Sequence, residues 1–147
     1  MKYFLLLAIV VLSACTANPD LTLNPASTDV MRLIEQTAEN APEAVRGTFQ
    51  FSIKASALLQ SAVYLNTELD YRDRRSITIA LHPKTIAAFT KKYGTSPKVY
   101  FLNKNIEVTG KAKQIKIWFF SNGKRTEKYY FQTHISVKSL NQITVLS

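Results

Sequence analysis

Cysteine is nearly absent. The 147-residue chain holds one, Cys15, which leaves no thiol for an intrachain disulfide, a thiolate metal cluster or a second reactive sulfur. Histidine is almost as scarce. His82 and His134 have no cysteine or second histidine at metal-ligand spacing, and His82, set before Pro83, reads as a turn residue. The four glycines, at 47, 94, 110 and 123, are too scattered for a phosphate-cradling loop, and no serine-nucleophile motif occurs. Long apolar runs are missing too. The N-terminal one, Phe4–Leu12, has nine residues and would rise only about 14 Å as a helix, against roughly 30 Å of bilayer hydrocarbon. No metal or cofactor is expected, and catalysis has little to work with.

Acids are short in the second half. From His82 onward there are twelve lysines and arginines against two carboxylates, whereas Thr16–Ala44 carries one base against five acids. The formal net charge of +9 therefore belongs to the C-terminal half, where it raises the local concentration of anionic partners such as nucleic acid, lipid headgroups or acidic proteins.

Lys2, the short apolar run and Ser13-Ala14-Cys15 make an export signal. The ending "LSAC" resembles a bacterial lipobox, in which small residues admit a signal peptidase and the cysteine thiol takes a diacylglycerol. That resemblance implies a signal peptide over 1–14, lipidation with acyl chains such as palmitate at Cys15, and a durable anchor at about 0.8 kcal/mol per buried methylene. Thr16 stands where an inner-membrane retention signal carries Asp, which points to the periplasmic side of the outer membrane. An ordinary cleaved signal with a free Cys15 is the alternative. Residues 15–27, polar with two prolines, read as a tether.

An N-terminal segment, 28–44, follows. Ser27-Thr28-Asp29 offers an N-cap, and Val30, Leu33, Ile34, Thr37, Ala38 and Ala41 recur at helical spacing until Pro42, predicting a helix over Asp29–Asn40. From Val45 the period becomes two. Val45, Gly47, Phe49, Phe51 and Ile53 alternate with polar residues as one half-buried strand; Ser61–Asn66 and Ser76–Leu81 predict a second and third, the latter with Ile77, Ile79 and Leu81 inward. Pro83 suits the first turn of a helix holding Ile86, Phe89 and Tyr93 and closed by Gly94. A long strand then sets Ile106, Val108, Gly110 and Ala112 inward, followed by Ile115, Ile117 and Phe119, and this change of parity predicts a bulge near Lys113-Gln114. If Tyr129, Phe131, Ile135 and Val137 also face in, a three-residue loop Ser121-Asn122-Gly123 with a left-handed Gly123 preserves both faces. Five strands with a helix between the third and fourth is the layout of a small Greek-key barrel.

With Val63-Tyr64-Leu65-Asn66, Asp70-Tyr71-Arg72-Asp73 and Ile106-Glu107-Val108-Thr109-Gly110-Lys111 in these places, residues from about Val45 to Val145 resemble an OB-fold domain of small bacterial proteins. The resemblance implies a mainly β, five-stranded Greek-key OB-fold barrel over 45–147 with an extra N-terminal helix. The hairpin after Phe120 departs from it, being longer and more aromatic. OB-folds commonly bind through the loop between strands four and five, here Ser121–Arg125, and that between strands one and two, here Lys54–Gln60.

Three features compete for a role. Glu68, Asp70 and Asp73 cluster, but Arg72, Arg74 and Arg75 stand among them. A hard cation needs six to eight oxygens, so local acid–arginine pairing, with Tyr71 covering the barrel side and Asn66 bonding the turn backbone, is expected in place of a calcium-dependent nuclease site. The hairpin offers more. With Ile117 and Phe119 inward, Lys116, Trp118 and Phe120 would face out, joined by Lys124, Arg125, Lys128 and Tyr130, a basic aromatic face suited to stacking on bases or sugars. The expectation is a non-enzymatic periplasmic binding module for an anionic polymer, single-stranded nucleic acid or glycan. Alternatively it is a protein–protein adaptor of an envelope assembly, with Trp118 and Phe120 covered by the N-terminal helix or by a second subunit.

Overall fold

A computed structural model describes residues 28–147. The expected signal peptide and tether, with Cys15, lie outside the described residues. Helix α1 (Val30–Glu39) starts where expected, with the Asp29 carboxylate accepting from the Arg32 N–H at 3.1 Å, which satisfies one of the otherwise unpaired donors of the first turn. It buries Leu33 and Thr37, and Leu33 belongs to the same core as the strands. Thr28 ties the approach to the first strand, its N–H donating to Gln50 O at 3.0 Å and its Oγ accepting from Gln50 N at 2.7 Å.

The strands are β1 (Val45–Ser52), β2 (Ala55–Leu59), β3 (Ala62–Asn66), β4 (Ile77–Leu81), β5 (Asn105–Ser121), β6 (Lys124–Val137) and a short β7 (Ile143–Val145). They form one mainly β sheet in the order β1-β5-β6-β4-β3-β2, with β7 beside β5. The two ends of this path, β1 and β2, are consecutive in the chain, separated by Ile53-Lys54. At that corner Ile53 N–H donates to Lys104 O and Lys54 N–H donates to Asn66 O, each at 2.9 Å. One bent segment thus pairs with β5 at its start and with β3 at its end, and the sheet curls round on itself. Counting β1 and β2 as one strand, with the short β7 set aside, gives the expected five-stranded OB-like arrangement, including a parallel pair, β4 with β6.

Alternation fills the interior. Phe49, Phe51, Val63, Leu65, Ile77, Ile79, Leu81, Ile106, Val108, Ala112, Ile135 and Val137 all point inward and are buried, each larger side chain contributing about 1.5–3 kcal/mol on leaving water. Truncating one of them, Leu65→Ala, would cost about 2–5 kcal/mol. Helix α2 (Pro83–Tyr93) follows β4, begins on Pro83 and ends on Gly94 at φ 67°, as expected. Behind it Ser96 caps a one-turn helix, α3 (Pro97–Tyr100), absent from the sequence reading. The two helices meet through Phe89, Tyr93, Tyr100 and Phe101, with ring centroids 4.5–5.4 Å apart.

Four local expectations are corrected. Lys54–Gln60 is mostly strand β2, joined to β3 by a tight turn at Gln60-Ser61 with φ 47° and 65°, so it is no open loop. The β5–β6 turn is the two-residue Asn122-Gly123, φ 49° and 73°, flanked by the pair Ser121↔Lys124. Asn66 bonds a neighbouring strand, accepting from Thr78 Oγ at 2.8 Å. No bulge occurs at Lys113-Gln114: the register runs unbroken from Ala112↔Ile135 to Trp118↔Tyr129, and the irregularity lies beyond Trp118. The change of apolar parity after Ala112 has another cause. Past Ala112, β5 has no partner but β6, and before Thr133, β6 has none but β5, among the described residues. The two strands leave the barrel as an arm roughly 30 Å long, and beyond its root, where Gln132 and Thr133 are buried, neither face is interior.

Candidate nucleic-acid interface

Residues directly opposite in an antiparallel pair share a face, so the register decides what the arm presents. One face continues the barrel lining: Gln114/Thr133, Lys116/Phe131 and Trp118/Tyr129. On it Trp118 and Tyr129 meet edge to face at 5.2 Å, and Tyr129 meets Phe131 at 5.5 Å. The Lys116 ammonium lies 4.5 Å from the Tyr129 centroid, 5.3 Å from Trp118 and 5.8 Å from Phe131, while the Arg125 guanidinium covers the indole at 4.7 Å. Each such contact at an exposed site contributes about 0.5–1 kcal/mol. Their main effect is to fix cations at the edges and faces of rings that stay open, Tyr129 being 48% and Phe131 47% exposed.

The opposite face carries Lys113/His134, Ile115/Gln132 and Ile117/Tyr130, with Phe119 5.2 Å from Tyr130. Tyr130 therefore does not join Trp118. Of the seven residues expected to form one surface, Lys116, Trp118 and Arg125 come together; Phe120, two-thirds exposed, sits at the tip opposite Arg125; Lys124 pairs with Ser121 at the turn; and Lys128 lies in the irregular stretch. There one residue of β5, Phe119, faces three of β6, residues 126–128. Thr126 ties that stretch, its hydroxyl donating to Phe119 O at 2.9 Å and accepting from Lys128 N at 3.2 Å. Tyr129 and Phe131 were missed as site residues. A two-residue Asn-Gly turn, which the sequence also allows, puts even residues of β5 opposite odd residues of β6, and the two extra residues of β6 beyond Trp118 then bring Tyr129 opposite it.

No protein family and no curated protein matches this chain. Among solved structures, an aspartyl tRNA synthetase from Entamoeba histolytica aligns with TM-score 0.48 at 17% identity over 90% of this chain, which spans 23% of that protein.

Helix α1 meets the first face at its root, where Thr37 Oγ and Thr133 Oγ share a buried hydrogen bond of 2.9 Å. In the next two pairs outward, Lys116/Phe131 and Trp118/Tyr129, the Phe131 and Tyr129 rings are about half exposed. On the second face the charged loop 67–76 folds against the arm: Gln132 Nε2 donates to Tyr71 O, and Gln132 Oε1 accepts from His134 Nε2 at 2.9 Å. Asp70 and Asp73 pair with arginines of that loop as expected, whereas Glu68 pairs with Lys54 from outside it. Asp70 accepts from Arg72 N and Nε at 2.9 and 3.1 Å, Asp73 from Arg75 N and Nη2 at 2.9 and 2.8 Å, and Glu68 from Lys54 at 2.8 Å. The arginine fork and backbone bond hold Asp73 down to about 2, and Asp70 is lowered the same way. Burial pushes His134 down to about 4 and raises Tyr130 above the ordinary phenol value.

Proposed function

We propose that the protein is a non-enzymatic binding module, held by a lipid on Cys15 at the periplasmic side of the outer membrane, that captures an anionic polymer on the Lys116/Trp118/Tyr129/Phe131 face of its arm. One observation carries this reading: three aromatic rings and two cations, Lys116 and Arg125, share one exposed face with no carboxylate among them. Rings accept bases or sugars by stacking, about 1–3 kcal/mol per base, and the cations pair with phosphates or uronates. The whole arm from Lys113 to Gln132 holds five cations and one acid, Glu127, so attraction acts before contact.

Trp118 is the only tryptophan of the chain, which makes its fluorescence a direct reporter. Titrating the full-length protein with oligothymidylate, and separately with an acidic glycan, is expected to quench it with one of the two, with log K falling by about 0.7 per phosphate neutralised as log salt rises for the single strand. Lys116→Gln with Arg125→Gln should weaken binding at least tenfold and flatten that slope. Salt-independent binding, or wild-type affinity in the double variant, would overturn the reading. Aromatics on both faces of the arm, Phe119 and Tyr130 behind and Trp118 and Tyr129 in front, favour a second reading as a protein–protein adaptor. Crosslinking to a reproducible envelope protein from position 119, without quenching by either polymer, would select it. Radiolabelled palmitate incorporation lost in Cys15→Ser tests the anchor.

A further inference from the structure

The barrel wall carries a second basic site away from the arm. On the outer surface of β1 and β5, Arg46 and Lys111 stand directly opposite one another, as do Thr48 and Thr109. Like charges directly opposite in an antiparallel pair oppose folding, and among the described residues neither Arg46 nor Lys111 has a salt-bridge partner. A third cation, Lys138, is brought to the same place by Gln142. The Gln142 amide oxygen accepts from the N–H of Lys138 at 2.8 Å and of Ser139 at 3.1 Å, while its nitrogen donates to Thr109 O at 3.0 Å and Ser136 O at 3.4 Å. This bridges β5 and the end of β6 where their ladder is open. Together these residues line a groove of about 630 Å³ that contains no carboxylate. The next acid along β5, Glu107, is occupied by Gln50 Nε2 at 3.0 Å.

Gly47 and Gly110 face each other between the two polar pairs; their missing Cβ atoms would point inward, within 2.9 Å of the Phe49 ring and 3.0 Å of Ile135 Cγ2, so at the groove they present backbone alone. The Thr48 and Thr109 hydroxyls bond one another at 2.8 Å. Two hydroxyls carry two protons and that bond uses one, so the other is free to donate outward, and Ser136, whose hydroxyl lies 3.2 Å from His82 Nε2, lines the same groove.

We infer that this groove binds a phosphate-bearing anion, with Arg46, Lys111 and Lys138 supplying the charge and the Thr48/Thr109 pair and Ser136 supplying hydroxyls to its several oxygens. The site is independent of the arm and stands whether or not the arm binds a polymer. Its cost is the repulsion built into the empty groove, and an anion removes that cost on binding.

Amide chemical-shift titration of the full-length protein with pyrophosphate, against sodium chloride at matched ionic strength, tests it. Saturable shifts at residues 46–48, 109–111 and 136–142, with Trp118 fluorescence unmoved, are expected. Lys111→Gln with Lys138→Gln should weaken saturation at least about tenfold, since a hydrogen bond to a charged group contributes about 1.5–3 kcal/mol, and should leave the ligand-free thermal midpoint equal or higher. A variant that simply fails to fold shows the opposite midpoint shift, and Arg46→Gln then serves as the second variant. A 5′-hydroxyl oligothymidylate that displaces pyrophosphate identifies polymer phosphodiesters as the source; failure to displace identifies free phosphates. Shifts that chloride reproduces, or that survive in the charge variants, overturn the inference.

Discussion

Lowering the pH tests the second face of the arm through His134. Its imidazole, half-buried behind the loop 67–76, is pushed by burial from its ordinary 6.5 down to about 4. The unfolded chain takes up this proton near pH 6.5 and the folded chain only near 4, so in between the unfolded state holds more protons and stability falls as the pH falls. The full shift is worth about 3 kcal/mol at 1.36 kcal/mol per tenfold change, of which about 2 kcal/mol should be lost between about pH 7.5 and pH 5. Asp70 and Asp73, both held below the usual carboxylate range, stay ionised over that interval and contribute no loss there. Urea denaturation of the wild type and of His134→Gln at the two pH values isolates the effect. The glutamine can still donate to Gln132 but does not titrate, and His82 remains in both proteins. The wild type should lose about 2 kcal/mol more than the variant on acidification, with early hydrogen exchange over 67–76, because Gln132 links that loop to His134. Equal losses in the two proteins would refute the assignment.

Gly110→Ala should destabilise the protein by about 1–3 kcal/mol through overpacking against Ile135, read as a lower urea midpoint with an unchanged slope. Gly123→Ala acts elsewhere. At φ 73° a Cβ costs about 1 kcal/mol, and since the turn closes an arm outside the core, hydrogen exchange should quicken in 113–132 while the global midpoint barely moves. Trp118→Ala should lower polymer affinity about fivefold to a hundredfold in a filter or anisotropy assay, whereas Phe119→Ala, on the other face, should leave it near wild type.

The barrel was legible because inside it a side chain has only two destinations. Ile77, Ile79 and Leu81, or Ile106 and Val108, alternate with residues that reach water, and a period of two then states which set is the core. Pro83 and Gly94 marked the ends of α2 by chemistry that needs no tertiary context. The same marks, Ser96 followed by Pro97, were present for α3, and only its four-residue length hid it. The Lys54–Gln60 strand was lost for a different reason: its half-buried pattern, with Leu58 and Leu59 both exposed, has no period to read.

The arm shows where alternation stops carrying information. Ile115, Ile117 and Phe119 alternate as regularly as any core strand, yet they lie behind Trp118 and away from the barrel lining, because beyond Ala112 no third strand pairs with β5, among the described residues, to force apolar side chains to one side. Treating that alternation as a core signal required a bulge at Lys113-Gln114 and a three-residue turn, neither of which forms. Turn chemistry held the better information. Asn122-Gly123 adopts left-handed φ at both positions as a two-residue hairpin turn demands, and that geometry alone puts even residues of β5 opposite odd residues of β6. The turn thus decides which residues share a face, while the partnership of Lys116 with Phe131 and of Trp118 with Tyr129 follows the register of the core pair Ala112/Ile135 at the root, the two extra residues of β6 beyond Trp118 taking up the difference.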